Sequence, residues 1–338
     1  MKKTILTGIR PTGNLHLGHY FGAGQNWIKL QNEDYDFYLE IADIQALTDN
    51  FDNPAKVRHN VREIVMDMVA MGVDPNKLHL FVQSMVPEIA ELTVIYSNLV
   101  TMARLYRNPT VKTEIAQKKA LFGNSGESVT YGFVGYPVSQ AADITAFEGQ
   151  LIPVGEDQLP LIEQCREIVH KFNTIYGQTL VMPEPLLSET PRIKGLDGAE
   201  KMGKSLGNGI FLVDSEETVK EKIMSAVTDP DKIHKDDPAN PEKCMVYYYH
   251  KLIKNKNINT VCEECKAGKR GCVACKKELI EKMIEFLKPI QEKRKELEEN
   301  PQIVDDILIQ GTEKARQKAK ETMKKVRKSI KIDYFNEE

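Results

Sequence analysis

An alternation in the first half of the chain constrains its fold more than any other feature. "TILTGI" (4–9) is a short apolar run with a glycine exit, and "YDFYLEIADIQAL" (35–47) is rich in aromatic and branched residues. "LHLFVQ" (78–83) has a strand-like core, and "LIPVGEDQ" (151–158) opens on another short run that ends in polar residues. Between the second and third lies "PAKVRHNVREIVMDMVAMGV" (54–73), where Val57, Val61, Ile64, Val65 and Met68 recur at helical spacing. Pro54 suits a first helical turn and Gly72 a helix end. Strand, helix, strand in this order predicts an α/β fold: a parallel sheet with helices on its faces.

After residue 205 the character changes. "DSEETVKEKIMSAVTD" opens on Asp214 with Glu217 three on, resembling a capping box. "CKKELIEKMIEFLKPIQEKRKELEE" and "GTEKARQKAKETMKKVRKSIK" read as helices, and no strong strand stands among them. A chain of 338 residues exceeds one small core. The expected division is a sheet domain over 1–195, a loop over 196–205 and a mainly α-helical part over 206–338, with the last helix able to pack back on the first domain. The net charge of −3 places any nucleic-acid affinity in local patches. The N-terminus has only a short apolar run and no segment approaches a membrane span, so a cytoplasmic protein with no membrane partner is expected. Six cysteines then favour thiol or metal chemistry over disulfides.

"GAEKMGKS" (198–205) fits the phosphate-cradling pattern G-x-x-x-x-G-K-S. A P-loop needs a buried strand before it and a helix after it. Here "SETPRIKGLDGAE" precedes and "LGNGIF" follows, with Gly207 and Gly209 where a helix should begin. Each costs roughly 1 kcal/mol against alanine there. Both flanks fail, and a surface loop bearing two lysines describes the segment better. The first strand leads into "GIRPTGNLHLGHYFGAG" (8–24), where His16 and His19 share one face of a probable helix start. Two imidazoles there can donate to phosphate oxygens beside the helix's positive end. Two ordinary surface histidines would look the same.

The pair "HLGH" (16–19) and "KMGKS" (201–205), in this order on a parallel sheet, resembles the two signatures of class I aminoacyl-tRNA synthetases. More narrowly, "GIRPTGNLHLGHYFGA", "IADIQALTDN", "GYPVSQAADI" and "PVGEDQ" resemble the bacterial tryptophanyl-tRNA synthetases, over nearly the whole chain. The resemblance implies a Rossmann-like catalytic domain followed by a helical anticodon-binding domain. It implies activation of L-tryptophan by ATP and Mg²⁺ to an adenylate plus pyrophosphate, then acyl transfer to the 3′-terminal ribose of tRNA(Trp). Neither step needs a protein nucleophile, so positioning and charge stabilisation supply catalysis.

By the same resemblance His16, His19, Lys201, Lys204 and Ser205 stabilise the departing pyrophosphate. Arg10, Pro11, Thr12, Gly18, Gly155, Glu156, Asp157, Ile193, Met202 and Gly203 line the ATP site, Gly155 and Asp157 as the ribose turn. Leu6, Gly8, Gln45, Tyr136, Gln140, Asp143 and Gln158 line the tryptophan pocket: Tyr136 and Gln158 hold the ammonium, and Asp143 accepts the indole N–H. Four positions depart from the family pattern. Arg10 stands where the family often has glutamine, Gly203 replaces a usual serine, and Gln45 and Gln140 stand where some relatives have histidine and methionine. Tyrosine as the substrate stays open on these residues; a paralogue that only binds RNA or a protein partner would have no need to keep His16, His19, Lys201, Lys204 and Asp143.

"CEECKAGKRGCVACKK" carries Cys262, Cys265, Cys272 and Cys275, with Cys244 upstream. Four thiolates this close could surround zinc. The resemblance points instead to a [4Fe–4S] cluster on Cys244, Cys265, Cys272 and Cys275, with Cys262 spare. Residues 311–331 hold nine Lys/Arg against two acidic residues: a solvated face, or a set of RNA phosphate contacts. The family is homodimeric, and "VTMARLYRNPTVKTEI" (100–115) is a candidate interface or a core helix followed by loop.

Overall fold

The computed structural model describes residues 2–122, 129–187, 192–203 and 206–335. Five strands, β1 (Lys3–Ile9), β2 (Tyr35–Ile41), β3 (His79–Val82), β4 (Leu151–Val154) and β5 (Glu184–Leu187), form one sheet in the order β3-β2-β1-β4-β5. Every pairing is parallel. The longer helices are α1 (Pro54–Ala70), α2 (Pro87–Ser97), α3 (Tyr131–Ala146), α4 (Leu159–Tyr176), α5 (Glu216–Ser225), α6 (Met245–Leu252), α7 (Ile258–Lys266), α8 (Cys272–Glu299) and α9 (Pro301–Ser329). From residue 206 onward the regular structure among the described residues is helical, as its sequence suggests.

Period-2 alternation sorts the strand residues between two cores. Ile5, Phe37, Leu39 and Ile41 face one, which continues through Ile64 and Met68 of α1 to Leu279, Met283 and Leu287 of α8. Leu6, Tyr38 and Phe81 face the other, shared with α2, α3 and α4 through Leu92, Ala141, Ile144, Ile162 and Phe172. Helix α1 follows its sequence signals. Asn53 accepts the Lys56 N–H, Pro54 opens the helix, and Gly72 follows its end with φ +113°. Burying Val57, Ile64, Val65 and Met68 contributes about 1.5–3 kcal/mol each.

Three local expectations change. The run 35–47 is strand only to Ile41; Asp43–Asn50 is a helix that buries Ala46. Strand β5 was not expected, because Pro185 weakens its signal; proline is tolerated there since β5 is an edge strand. Helix α5 is capped by Ser215, whose hydroxyl accepts the Thr218 N–H at 3.2 Å, and not by Asp214. The Asp214 carboxylate instead accepts the Phe211 N–H at 2.8 Å and pairs with Lys222 at 2.6 Å.

Helix α9 lies along β3. A Cβ on Gly311 would stand 1.9 Å from the Leu80 carbonyl oxygen, so only glycine permits this approach. Four of the nine cations of 311–331 bind this flank: Arg316 pairs with Glu88, Lys318 and Lys325 with Glu148, and Arg327 with Glu91. Residues 100–115 are helical in both halves, Met102–Arg107 and then Pro109–Phe122, with Leu105 and Val111 buried.

Candidate active site

The strand order reverses direction between β1 and β4, and in open parallel sheets ligands sit outside the carboxyl ends of the strands at such a reversal. Strand β1 delivers Arg10 to His19 to that point, and β4 delivers Gly155 to Gln158.

His16 caps the helical turn Leu17–His19, which runs on through Tyr20–Gly24 into Gln25–Leu30. His19 Nδ1 accepts the His16 N–H at 3.2 Å, and the two rings lie 3.9 Å apart. With Nδ1 accepting, a neutral His19 ring carries its proton on Nε2. The segment after the lysine loop docks on this turn as a short antiparallel ribbon. The Leu17 N–H donates to the Ile210 carbonyl at 2.9 Å, the Leu212 N–H to the Leu15 carbonyl at 2.9 Å, and His16 stands opposite Phe211. Met202 is buried, and its Sδ accepts the Gly18 N–H at 3.3 Å across 184 residues of sequence.

Ile193 pins the loop from behind, its carbonyl accepting the Met202 N–H at 2.8 Å. Buried Asn208 accepts the Gly203 N–H at 3.0 Å and donates to Asp197 and to the Lys201 carbonyl. Lys201 is exposed. Lys204 and Ser205 lie outside the described residues. Nearby, Arg10 pairs with Asp49 at 2.8 Å, the Thr12 N–H donates to the Arg10 carbonyl, and the Pro11 carbonyl accepts from Asn60 at 3.1 Å. Glu156 and Asp157 are exposed in a short turn, with Arg192 3.8 Å from Asp157.

The residues expected to line the amino-acid pocket are held differently. Gln83 Nε2 donates to Asp143 Oδ1 at 2.9 Å, while Gln83 Oε1 accepts the Gln45 N–H at 3.0 Å. Burial pushes the Asp143 carboxyl up to about 7, opposed by its bonds to Gln83 and Glu40. Burial also raises Glu40, reinforced by Asp143 and Asp43. Tyr136 packs with Val111 and Leu161, and burial and the Glu114 charge raise its hydroxyl. Leu6 is buried and Gln140 half-buried; Gln158 turns to Asp157 at 3.1 Å. The structure thus joins Gln45 to Asp143 through Gln83. Glu40, Gln83 and Asn208 were missed from sequence. The one signal for Glu40 was an acid inside the apolar run "YDFYLEI".

Five of the six cysteines lie around the junction of α6, α7 and α8. Burial raises the thiols of Cys244, Cys265 and Cys275, the last to about 12, and neighbouring thiols among Cys244, Cys265 and Cys272 add to the rise. Burial raises the Tyr247 hydroxyl to about 12, and the nearby Cys262 and Cys265 thiols add to the rise. Among the described residues no three His, Cys, Asp or Glu side chains are grouped closely enough to hold a metal. Cys165 is a buried apolar side chain, as expected, with its thiol pushed up to about 12. No helix among the described residues is long and apolar enough to cross a membrane.

A parallel sheet whose first strand leads to paired histidines, with a lysine loop docked against them, is the arrangement expected of a class I aminoacyl-tRNA synthetase. The family profile "tRNA synthetases class I (W and Y)" matches residues 2–288. The chain is 48% identical to a tryptophan–tRNA ligase of Lactococcus lactis subsp. lactis, covering 99% of each, and 49% identical to one of Clostridium longisporum, covering 99% and 98%. Its structure resembles that of tryptophanyl-tRNA synthetase from Campylobacter jejuni complexed with ADP and tryptophan, with a TM-score of 0.87 and 33% identity over 97% of this chain and 99% of that one. The chain belongs to the class I tRNA synthetases of the W and Y family. Its activity is ATP-dependent tryptophan–tRNA ligation.

Proposed function

We propose that the cleft between the His16 turn and the lysine loop holds the ATP triphosphate, and that Asp143 anchors tryptophan at its inner end. The observation that carries this reading is the contact of Met202 with Gly18, together with the ribbon of Leu15 and Leu17 against Ile210 and Leu212. It sets the base of the lysine loop beside the imidazoles. The tryptophan carboxylate attacks the α-phosphorus, and pyrophosphate leaves. Lys201 and Lys204 then meet the charge that develops on the leaving group, with Ser205 and the His16 and His19 rings as donors. Mg²⁺, when bound, supplies further neutralisation of the phosphates. Gly155 and Asp157 receive the ribose hydroxyls once Arg192 moves aside. Tyr136 and Gln158 hold the substrate ammonium, and Gln45 and Gln140 border the ring.

A buried acceptor is the arrangement by which a pocket rejects analogues lacking the matching donor, by about 10⁴–10⁵ without editing. The test is amino-acid-dependent pyrophosphate exchange with tryptophan and tyrosine in parallel. Exchange with tryptophan and background with tyrosine is expected; the reverse would overturn the assignment.

For the cysteines we propose a [4Fe–4S] cluster on Cys244, Cys265, Cys272 and Cys275. The support is the family-like spacing of the four cysteines and their common place at the junction of α6, α7 and α8; the thiols stand apart here and would close on the cluster when it binds. Sulfur donors in this number suit iron–sulfur ligation, and zinc is the alternative. Protein purified without oxygen should be brown with stoichiometric iron; a colourless, zinc-loaded sample contradicts the cluster. A cytoplasmic C₂ homodimer, with the helical part reading the tRNA anticodon, completes the proposal.

A further inference from the structure

Glu40 has no role in the reading so far, yet it lies behind the proposed amino-acid pocket. On β2 it shares the sheet face of Tyr38, opposite Gly8 of β1 in register, and is only 4% exposed. A Cβ on Gly8 would stand 3.2 Å from Glu40 Oε2, so the strand approaches the carboxyl closely. Glu40 and Asp143 of α3, both buried, lie close enough for each to act on the other, and Asp143 also accepts from Gln83. Two buried ionised carboxylates offer acceptors only, and neither could donate to the other. Consistent with that conflict, Glu40 Oε1 has no hydrogen-bond partner among the described residues. A single proton on the pair removes the conflict.

We propose that Glu40 is a positioning residue for substrate selection: it keeps a proton and donates a hydrogen bond to Asp143, leaving that carboxylate ionised and aimed at the indole N–H. This rests on the reading of Asp143 as the indole acceptor. The groups around the pair favour one retained proton. From the start of the following helix Asp43 adds negative charge to Glu40, Gln83 after β3 is neutral, and Cys165 of α4, close enough to interact with Asp143, is itself raised to about 12 and so protonated. Asp143, with donors from Gln83 and Glu40, is the better-stabilised anion of the two.

The experiment combines infrared difference spectroscopy with tryptophan kinetics on the whole protein. Nearly all of the 49 acidic residues are ionised at neutral pH, so a buried protonated carboxyl stands out by its C=O stretch. Wild-type protein should show this band, it should shift on adding tryptophan, and Glu40→Gln should abolish it. Glu40→Ala should raise the KM for tryptophan about tenfold with a smaller change in kcat, and Glu40→Gln, which keeps a neutral donor, should recover most of that loss. The alkaline fall of kcat/KM for tryptophan should weaken in Glu40→Gln. A spectrum without the band, or one that Glu40→Gln leaves unchanged, overturns the proposal while leaving Asp143 in place. The wild-type spectrum decides this even where Glu40→Ala does not fold. Failure of the underlying reading looks different: Asp143→Asn would then keep the wild-type KM for tryptophan.

Discussion

The proposed nucleotide side of the site is held by main-chain bonds and keeps Lys201 at the surface, whereas the proposed amino-acid side buries its polar groups and ties them to one another. The contrast follows from the two tasks. A triphosphate needs cations that can follow charge as it moves to the leaving group. A choice between indole and phenol needs an acceptor that cannot relax toward the wrong substrate. Rigidity is therefore placed where discrimination is made, and long exposed side chains where charge is neutralised.

The largest expected effect tests what underpins the nucleotide side. The Leu15 N–H donates to buried Asp67 at 2.7 Å, and Arg294 of α8 binds both Asp67 and Glu63. Arg294→Met leaves Asp67 without its cation and should cost about 3–5 kcal/mol in urea unfolding. Burial holds Asp67 at about 6 despite Arg294 and the Leu15 N–H. Between its ordinary 3.8 and about 6 the folded chain keeps a proton that the unfolded chain releases, so this group's contribution to stability declines as pH rises through that window. Asp67→Asn should flatten that part of the stability profile.

Next in size, Lys204→Ala should slow exchange about 10²–10³-fold while tryptophan affinity stays near wild type. Asp143→Ala should do the converse, raising the KM for tryptophan about 10- to 100-fold with ATP binding intact. If both variants lost both affinities, the two sides would not be separable. Smallest is the cap of α5, beside the docked ribbon. Ser215→Ala should cost about 1 kcal/mol and Glu217→Ala under about 0.5, measured by thermal unfolding.

Much of this was legible in the residues. The apolar alternation marked four of the strands, and the first histidine motif fell at the end of β1, where parallel sheets bind ligands. What stayed hidden depends on residues far away in sequence. Glu40 reads as one acid in a strand until α3 covers it with Asp143, and Gln83 shows its role only when Gln45 and Asp143 meet around it. The basic run of 311–331 left a solvated face and RNA phosphate contacts open, and four of its cations bind acids on α2 and near the end of α3. A charge run shows its partner only when the fold supplies one. Strand β5 and the α5 cap were missed locally, through an edge proline and a one-residue choice between Asp214 and Ser215.

The central claim is that the imidazole turn and the lysine loop act on one polyphosphate. A double-mutant cycle of His19→Ala and Lys201→Ala on tryptophan-dependent pyrophosphate exchange tests it most directly. Shared action predicts a coupling of about 0.5–3 kcal/mol between the two losses. Losses that add with no coupling would place the two groups on different ligands and contradict the account.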